Sequence, residues 1–184
     1  MKYHLYLLAT GLLMLTACKD PSARPSTEEM LKEAGKSPDA NAGSGKFSID
    51  APPGWKKMDT TITGIKITFL LSPAVTNEFR PNINVVTESM RDAPPDGYFD
   101  QSIAAMGKYM QHFSAVAKGE KEIDGAKARW MRYSHNQNGF DLDVLVYFIT
   151  KNGIAYIITC TVPKGQMEHF QPQFEQAVGT FHVS

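Results

Sequence analysis

Residues 140–162 read FDLDVLVYFITKNGIAYIITCTV, and this stretch decides the fold. Two apolar runs flank Asn152-Gly153. Both residues of that pair tolerate the positive φ that a two-residue hairpin turn requires. With the pair at the centre of the turn, Ile149 faces Tyr156, Tyr147 faces Ile158 and Leu145 faces Cys160. The same register sets Phe148 against Ile157 and Val146 against Thr159 on the other face. Both faces are therefore largely apolar. An antiparallel sheet with one wet face would alternate cleanly instead, so each side needs a cover.

Outward from this hairpin the pattern repeats. Asp124-Gly125 and Asn138-Gly139 are two more tight-turn pairs set between β-type runs. Together they predict a meander of four antiparallel strands over about residues 115–162. Further upstream, Phe47-Ser48-Ile49-Asp50 alternates as a short strand, and Pro52-Pro53-Gly54-Trp55 is a turn that delivers a large aromatic. Residues 65–71 and 82–86 read as strands. Two segments can supply the covers. Residues 98–113 carry Phe99, Ile103, Met106, Met110 and Phe113 at helical spacing, preceded by Pro94-Pro95-Asp96-Gly97. Phe170, Phe174 and Val178 are spaced by four and closed by Gly179. The expected fold is α+β: an α/β/α sandwich whose central antiparallel sheet combines the meander with N-terminal strands, with one helix on each face.

Composition agrees with one globular domain plus additional chain. The 184 residues are 42% hydrophobic and 21% charged. Nineteen basic residues balance nineteen acidic ones. Zero net charge weighs against a nucleic-acid binder or a polybasic membrane surface. Two cysteines are too few for a disulfide framework or a cysteine-rich zinc site.

The N-terminus reads as an address. Lys2 is the only Lys, Arg, Asp or Glu before Lys19, and residues 5–17 form a largely apolar run. A helical membrane span needs about 20 apolar residues, so the run is too short and fits a secretory signal over residues 1–17. Leu15-Thr16-Ala17-Cys18 resembles the bacterial lipobox, in which the cysteine is lipidated through a thioether and becomes the mature N-terminus. The resemblance implies a palmitate-bearing lipoprotein anchored at Cys18. Two or more acyl chains hold a protein firmly where one does not. Lys19 stands where an Asp would favour the inner membrane, so the outer membrane, with the domain facing the periplasm, is the expected location. The following stretch to residue 45 is rich in Pro, Ser, Ala, Gly and charge and reads as a flexible tether. Within it, Ser26-Thr27-Glu28-Glu29 offers a capping box for one or two helical turns. The globular domain is expected over residues 46–184.

These features in this order resemble the DcrB-like bacterial lipoproteins of the PsbP-like fold. The residues that carry the likeness are Phe47-Ser48-Ile49, the Pro52-Pro53-Gly54-Trp55 turn, the middle helix and the meander. The closing run Tyr147-Phe148-Ile149 through Gly153 to Thr159, followed by a helix with Phe170 and Phe174, completes it. The resemblance implies an α/β/α sandwich that serves as a binding or accessory module without a cofactor.

Catalytic chemistry is thinly represented. The five histidines, His4, His112, His135, His169 and His182, show no metal-ligand spacing. No Gly-x-Ser-x-Gly elbow or phosphate-cradling loop occurs, so no catalytic or metal residue is assigned. Cys160 alternates in phase with Tyr156 and Ile158 and reads as a buried structural thiol. Asp141 and Asp143 share a strand face and could serve calcium or acid–base chemistry, but a cross-strand ion pair with Arg132 explains them more simply. Trp55, Phe79 and Arg80 beside turns are the candidate partner contacts, because aromatics and Arg dominate interface hot spots. Trp130 falls in phase with Ala128 and reads as core.

Two functions compete. The first is a lipid-anchored, non-catalytic envelope module that works by protein–protein contact with an envelope partner, with immunity-type neutralisation of a toxin as a variant. The second is an envelope hydrolase or small-ligand carrier with a site at one hairpin end, built from Arg132, His135, Asp141 and Asp143. The sequence favours the first.

Overall fold

The computed structural model describes residues 45–62, 64–90 and 93–184. The signal segment, Cys18 and the tether up to residue 44 lie outside the described residues.

The described chain runs through strands β1 (Phe47–Ser48), β2 (Lys56–Ile62), β3 (Ile65–Leu71) and β4 (Asn82–Ser89), then helix α1 (Pro95–Tyr109). Four strands follow: β5 (Gln111–Ile123), β6 (Ala126–Gln137), β7 (Phe140–Lys151) and β8 (Ile154–Pro163). Helix α2 (Met167–Gly179) and strand β9 (His182–Val183) close it. Seven strands form one sheet in the order β2-β3-β4-β8-β7-β6-β5. Every neighbouring pair is antiparallel. The four-stranded meander β5–β8 is the one expected, and its last hairpin has the expected register, with Ile149 opposite Tyr156, Phe148 opposite Ile157 and Leu145 opposite Cys160. All three Asx-Gly turns hold both residues at positive φ, the twist that matches the flanking strands.

Each face carries its own core. On one, Leu145, Tyr147, Ile149, Ile158 and Cys160 pack under Met167, Phe170, Phe174 and Val178 of α2. On the other, Val144, Val146, Phe148 and Ile157 pack under Tyr98, Phe99 and Met106 of α1. Phe148 meets Phe99 edge-on at 5.2 Å and Tyr98 at 6.3 Å. Burying one such ring contributes about 1.5–3 kcal/mol, and together these rings fasten α1. Arg129 of β6 adds a tie at the N-terminal end of α1, its guanidinium 4.0 Å over the Phe99 ring and 3.2 Å from Asp96.

Two local expectations are corrected, and one strand is added. The middle helix ends at Tyr109 rather than continuing to Phe113. Met110 turns extended, and β5 begins at Gln111, pairing with β6. Phe113 still reaches the same core, lying 5.3 Å from the Tyr133 ring, so a helical spacing of apolar residues survived a change of element. Phe47 does not join the central sheet. β1 pairs with β9 as a separate two-stranded ribbon, Phe47 opposite Val183. Edge strand β2 was not signalled by the sequence at all, because KKMDTTI is polar and largely exposed.

The sheet has two distinct poles. The β1–β9 ribbon sits at the pole of the 124–125 and 152–153 turns. There the Asp124 carboxylate accepts from Val183 N at 2.9 Å, and it lies 2.6 Å from His182 Nδ1 and 3.6 Å from Lys151 Nζ. The backbone hydrogen bond from Val183, then His182, holds this carboxyl below its ordinary value. At the opposite pole lie the 52–55 turn, the β3–β4 connection, the 138–139 turn and the residues leading into α2.

Candidate functional site

The four residues proposed for a hairpin-end site do not converge. Arg132 stands opposite Leu145 on the α2 face, and Asp141 and Asp143 share that face. His135 stands opposite Leu142 and belongs to the α1 face, so the sheet separates it from the other three. The expected Arg132–Asp143 ion pair is replaced by contacts with the start of α2. Arg132 donates to Glu168 at 2.8 Å, and Asp143 accepts from Gly165 N at 2.8 Å. Asp141 accepts from Asn136 Nδ2 at 2.9 Å. The outward side chains thus seat a helix. Because Glu168 is 76% exposed, Arg132→Ala should lower unfolding free energy by no more than about 1 kcal/mol, measured by urea denaturation. A larger loss would assign Arg132 a role this geometry lacks.

Cys160 is fully buried among the α2-face side chains, and burial pushes its thiol up. A protonated, inaccessible thiol is a poor nucleophile. Trp130 is half-buried and stands opposite Tyr147, at the margin of the core it was expected to join.

Trp55, Phe79 and Arg80 gather at one pole. The turn at residues 52–55 is closed by Trp55 N donating to Pro52 O at 2.9 Å. Pro53 then stands first and Gly54, at φ 78°, second, which is the type II arrangement. The indole of Trp55 meets Phe174 at 6.0 Å and Phe170 at 6.4 Å, so it fastens the turn to α2. The β3–β4 connection, residues 72–81, comes close to this turn. A side chain added at Gly54 would start 4.0 Å from Pro73. Arg80 donates to Ser72 O at 2.7 Å and staples the two ends of the connection. Phe79 turns inward onto Phe140 at 5.7 Å. Between them Thr76 and Phe79 exchange backbone hydrogen bonds of 2.8 and 3.0 Å. Asn77 and Glu78 form the tip, both at positive φ. Glu78 gains no side-chain compensation for a left-handed backbone, which costs about 1–2 kcal/mol. Glu78→Gly should accordingly raise the unfolding free energy by about 1 kcal/mol. An unchanged or lower value would show the tip to be relaxed.

A third feature escaped the sequence reading. On the α1 face, Asn84 stands opposite Thr159 and Asn82 opposite Thr161. Val144 of β7 lies beside Thr161, with Tyr133 of β6 beyond it. His135 follows along β6, its ring 5.6 Å from that of Tyr133. All six polar side chains are buried. Asn82 Oδ1, both amide atoms of Asn84, Thr159 Oγ1, Thr161 Oγ1, Tyr133 OH and His135 Nε2 have no hydrogen-bond partner. Burial pushes the His135 imidazole down to about 4, so it is neutral at pH 7, and pushes the Tyr133 phenol up. A buried polar group left unpaired costs about 1–3 kcal/mol. Six such side chains weigh heavily against a whole-domain stability of about 5–15 kcal/mol. The signal was partly visible. Asn82-Ile83-Asn84 and Thr159-Cys160-Thr161 each put two polar residues on one face of a strand, but the β4–β8 pairing that joins them is long-range.

Comparison with solved structures places this architecture. A protein of unknown function from Pseudomonas aeruginosa is 20% identical with a TM-score of 0.58, over 74% of this chain and 96% of its own. LpqN, involved in cell envelope biogenesis of Mycobacterium tuberculosis, is 11% identical with a TM-score of 0.61, over 77% and 85%. Cyanobacterial PsbP (CyanoP) from Synechocystis is 12% identical with a TM-score of 0.53, over 77% and 95%. The fold is PsbP-like. No protein-family model matches the chain, and no curated protein matches it. Identities this low carry the PsbP-like fold alone. Among the described residues, no helix is long and apolar enough to cross a membrane, and no cluster of His, Cys, Asp or Glu could hold a metal ion.

Proposed function

We propose that this PsbP-like domain is a non-catalytic binding or accessory module of the bacterial cell envelope, a DcrB-like lipoprotein held at the outer membrane through Cys18. It acts by protein–protein contact with an envelope partner. The contact surface is the pole formed by the Trp55 turn and residues 72–81. One observation carries this reading: the connection is braced from inside by Phe79 and Arg80 while Val75, 54% exposed, is displayed outward. A braced connection that displays Val75 loses little conformational freedom when it docks, which favours binding. The β1–β9 ribbon brings the chain into the domain at the opposite pole, so an anchored protein presents this tip away from its attachment. The LpqN likeness supports an envelope setting.

Two measurements test the proposal. Cys18→Ser should abolish palmitate labelling and move the protein from the membrane to the soluble fraction. A photo-crosslinking residue at Val75 should give a discrete adduct in living cells, whereas one at Lys66, on the other pole, should give none. Continued membrane retention of Cys18→Ser would overturn the anchor. Equal adducts from both positions would overturn the contact surface.

A further inference from the structure

We infer that Asn82, Asn84, Thr159, Thr161, Tyr133 and His135 form an internal site for a small uncharged molecule rich in hydroxyl or amide groups, closed here by Phe79 and Phe113. The inference shares Phe79 with the protein-contact reading but rests on the unpartnered polar atoms beneath it.

The unpartnered atoms are confined to one face of the sheet. None of them lies on the α2 face formed by the same strands, where buried Thr68 donates to Asp59. Such concentration is not what scattered imperfections in packing produce. The quartet Asn82, Asn84, Thr159 and Thr161 consists of two directly opposed cross-strand pairs two residues apart. That spans about 5 Å across the strands and about 7 Å along them, the dimensions of one sugar ring. Its groups include donors and acceptors, as a hydroxyl-bearing ligand requires. None of the six side chains is charged at neutral pH, and a buried ion would find no counter-charge among them. The ligand is therefore neutral.

The cover carries a second, independent observation. Phe79 leans on Phe140, and Phe113 leans on Tyr133 itself. Each ring directly follows a non-glycine residue at positive φ, Glu78 at 63° and His112 at 52°. The other positive-φ side chains are Asn77, at the same tip as Glu78, and the Asx residues of the three hairpin turns, where that conformation is ordinary. Glu78 lies in a two-residue turn and His112 in a β-bulge of β5, places where a strand changes course. The closed state thus leaves hydrogen bonds unmade on the face against which Phe79 and Phe113 pack. Outward movement of Phe113, which takes no part in bracing the 72–81 connection, uncovers Tyr133 and admits a ligand.

The test titrates the full chain with myo-inositol, glucose and N-acetylglucosamine as neutral probes and with glucuronate as the charged control. Binding is read from the ring resonances of His135 and Tyr133. At least one neutral probe should shift both rings saturably, while glucuronate should not. Thr159→Val combined with Thr161→Val keeps the side-chain shape and should weaken binding by about tenfold or more. Should that double variant fail to fold, Tyr133→Phe removes a single hydroxyl and should also weaken it. No saturable shift with any neutral probe would overturn the site, leaving water as the only occupant. Equal affinity in the valine or phenylalanine variant would overturn the assignment of these residues.

Discussion

Replacing Phe148 by alanine is expected to lower the unfolding free energy by about 3–5 kcal/mol. The ring is 2% exposed and stands where β7 meets the helix, in edge contact with Tyr98 and Phe99. Alanine removes the transfer free energy of the ring and leaves a cavity under two aromatics that belong to one helical turn. The ring packs on α1 and not on α2, so the loss should be uneven. Amide exchange over residues 95–109 should accelerate more than exchange over residues 167–179. Denaturant unfolding gives the total, and hydrogen exchange gives its distribution. A loss below about 1 kcal/mol would mean that α1 is not fastened by this ring.

Phe174→Ala should have a comparable effect, about 3–5 kcal/mol, through the other face. Phe174 is fully buried and touches both Phe170 and Trp55. Its removal should also free the Trp55 indole and so shift tryptophan emission to longer wavelength. Measuring this in a Trp130→Phe background isolates the Trp55 signal. The two cores lie on opposite sides of one sheet, and Phe148 and Phe174 share no ring contact. The double variant should therefore be additive within about 0.5 kcal/mol, if enough stability remains to measure it. Marked non-additivity would show that the faces are coupled through the sheet.

Local chemistry made much of this architecture legible. Three Asx-Gly pairs declared three hairpin turns because few residues accept positive φ at both central positions. Once Asn152-Gly153 was centred, the register of β7 and β8 followed by counting, and two apolar faces required two covers. What remained hidden depended on contacts distant in sequence or on polar surface. β2 carries little apolar pattern, since it borders the sheet and faces water. The end of α1 was misread because Phe113 serves the same core from a strand that it would have served from a helix. The ionisable residues near the β6–β7 turn look like a site because they lie close in sequence, although strand alternation already sets His135, three residues from Arg132, on the other face. The buried Asn and Thr groups required the pairing of β4 with β8, which brings together residues about 75 positions apart in the chain. Arg80 stands out in the sequence because Arg is frequent at interface hot spots, whereas its observed contacts are to backbone carbonyls of its own connection.

The short ribbon of Phe47–Ser48 against His182–Val183, extended by Ser184 N donating to Lys46 O at 3.0 Å, makes the described chain almost circular. A few residues of linker would suffice to join its ends, and new termini could be opened at Asn138-Gly139 without interrupting either core. A permuted gene of that kind would carry its termini at the opposite pole. The domain could then be mounted upside down, with the 72–81 tip facing the support instead of the surrounding medium.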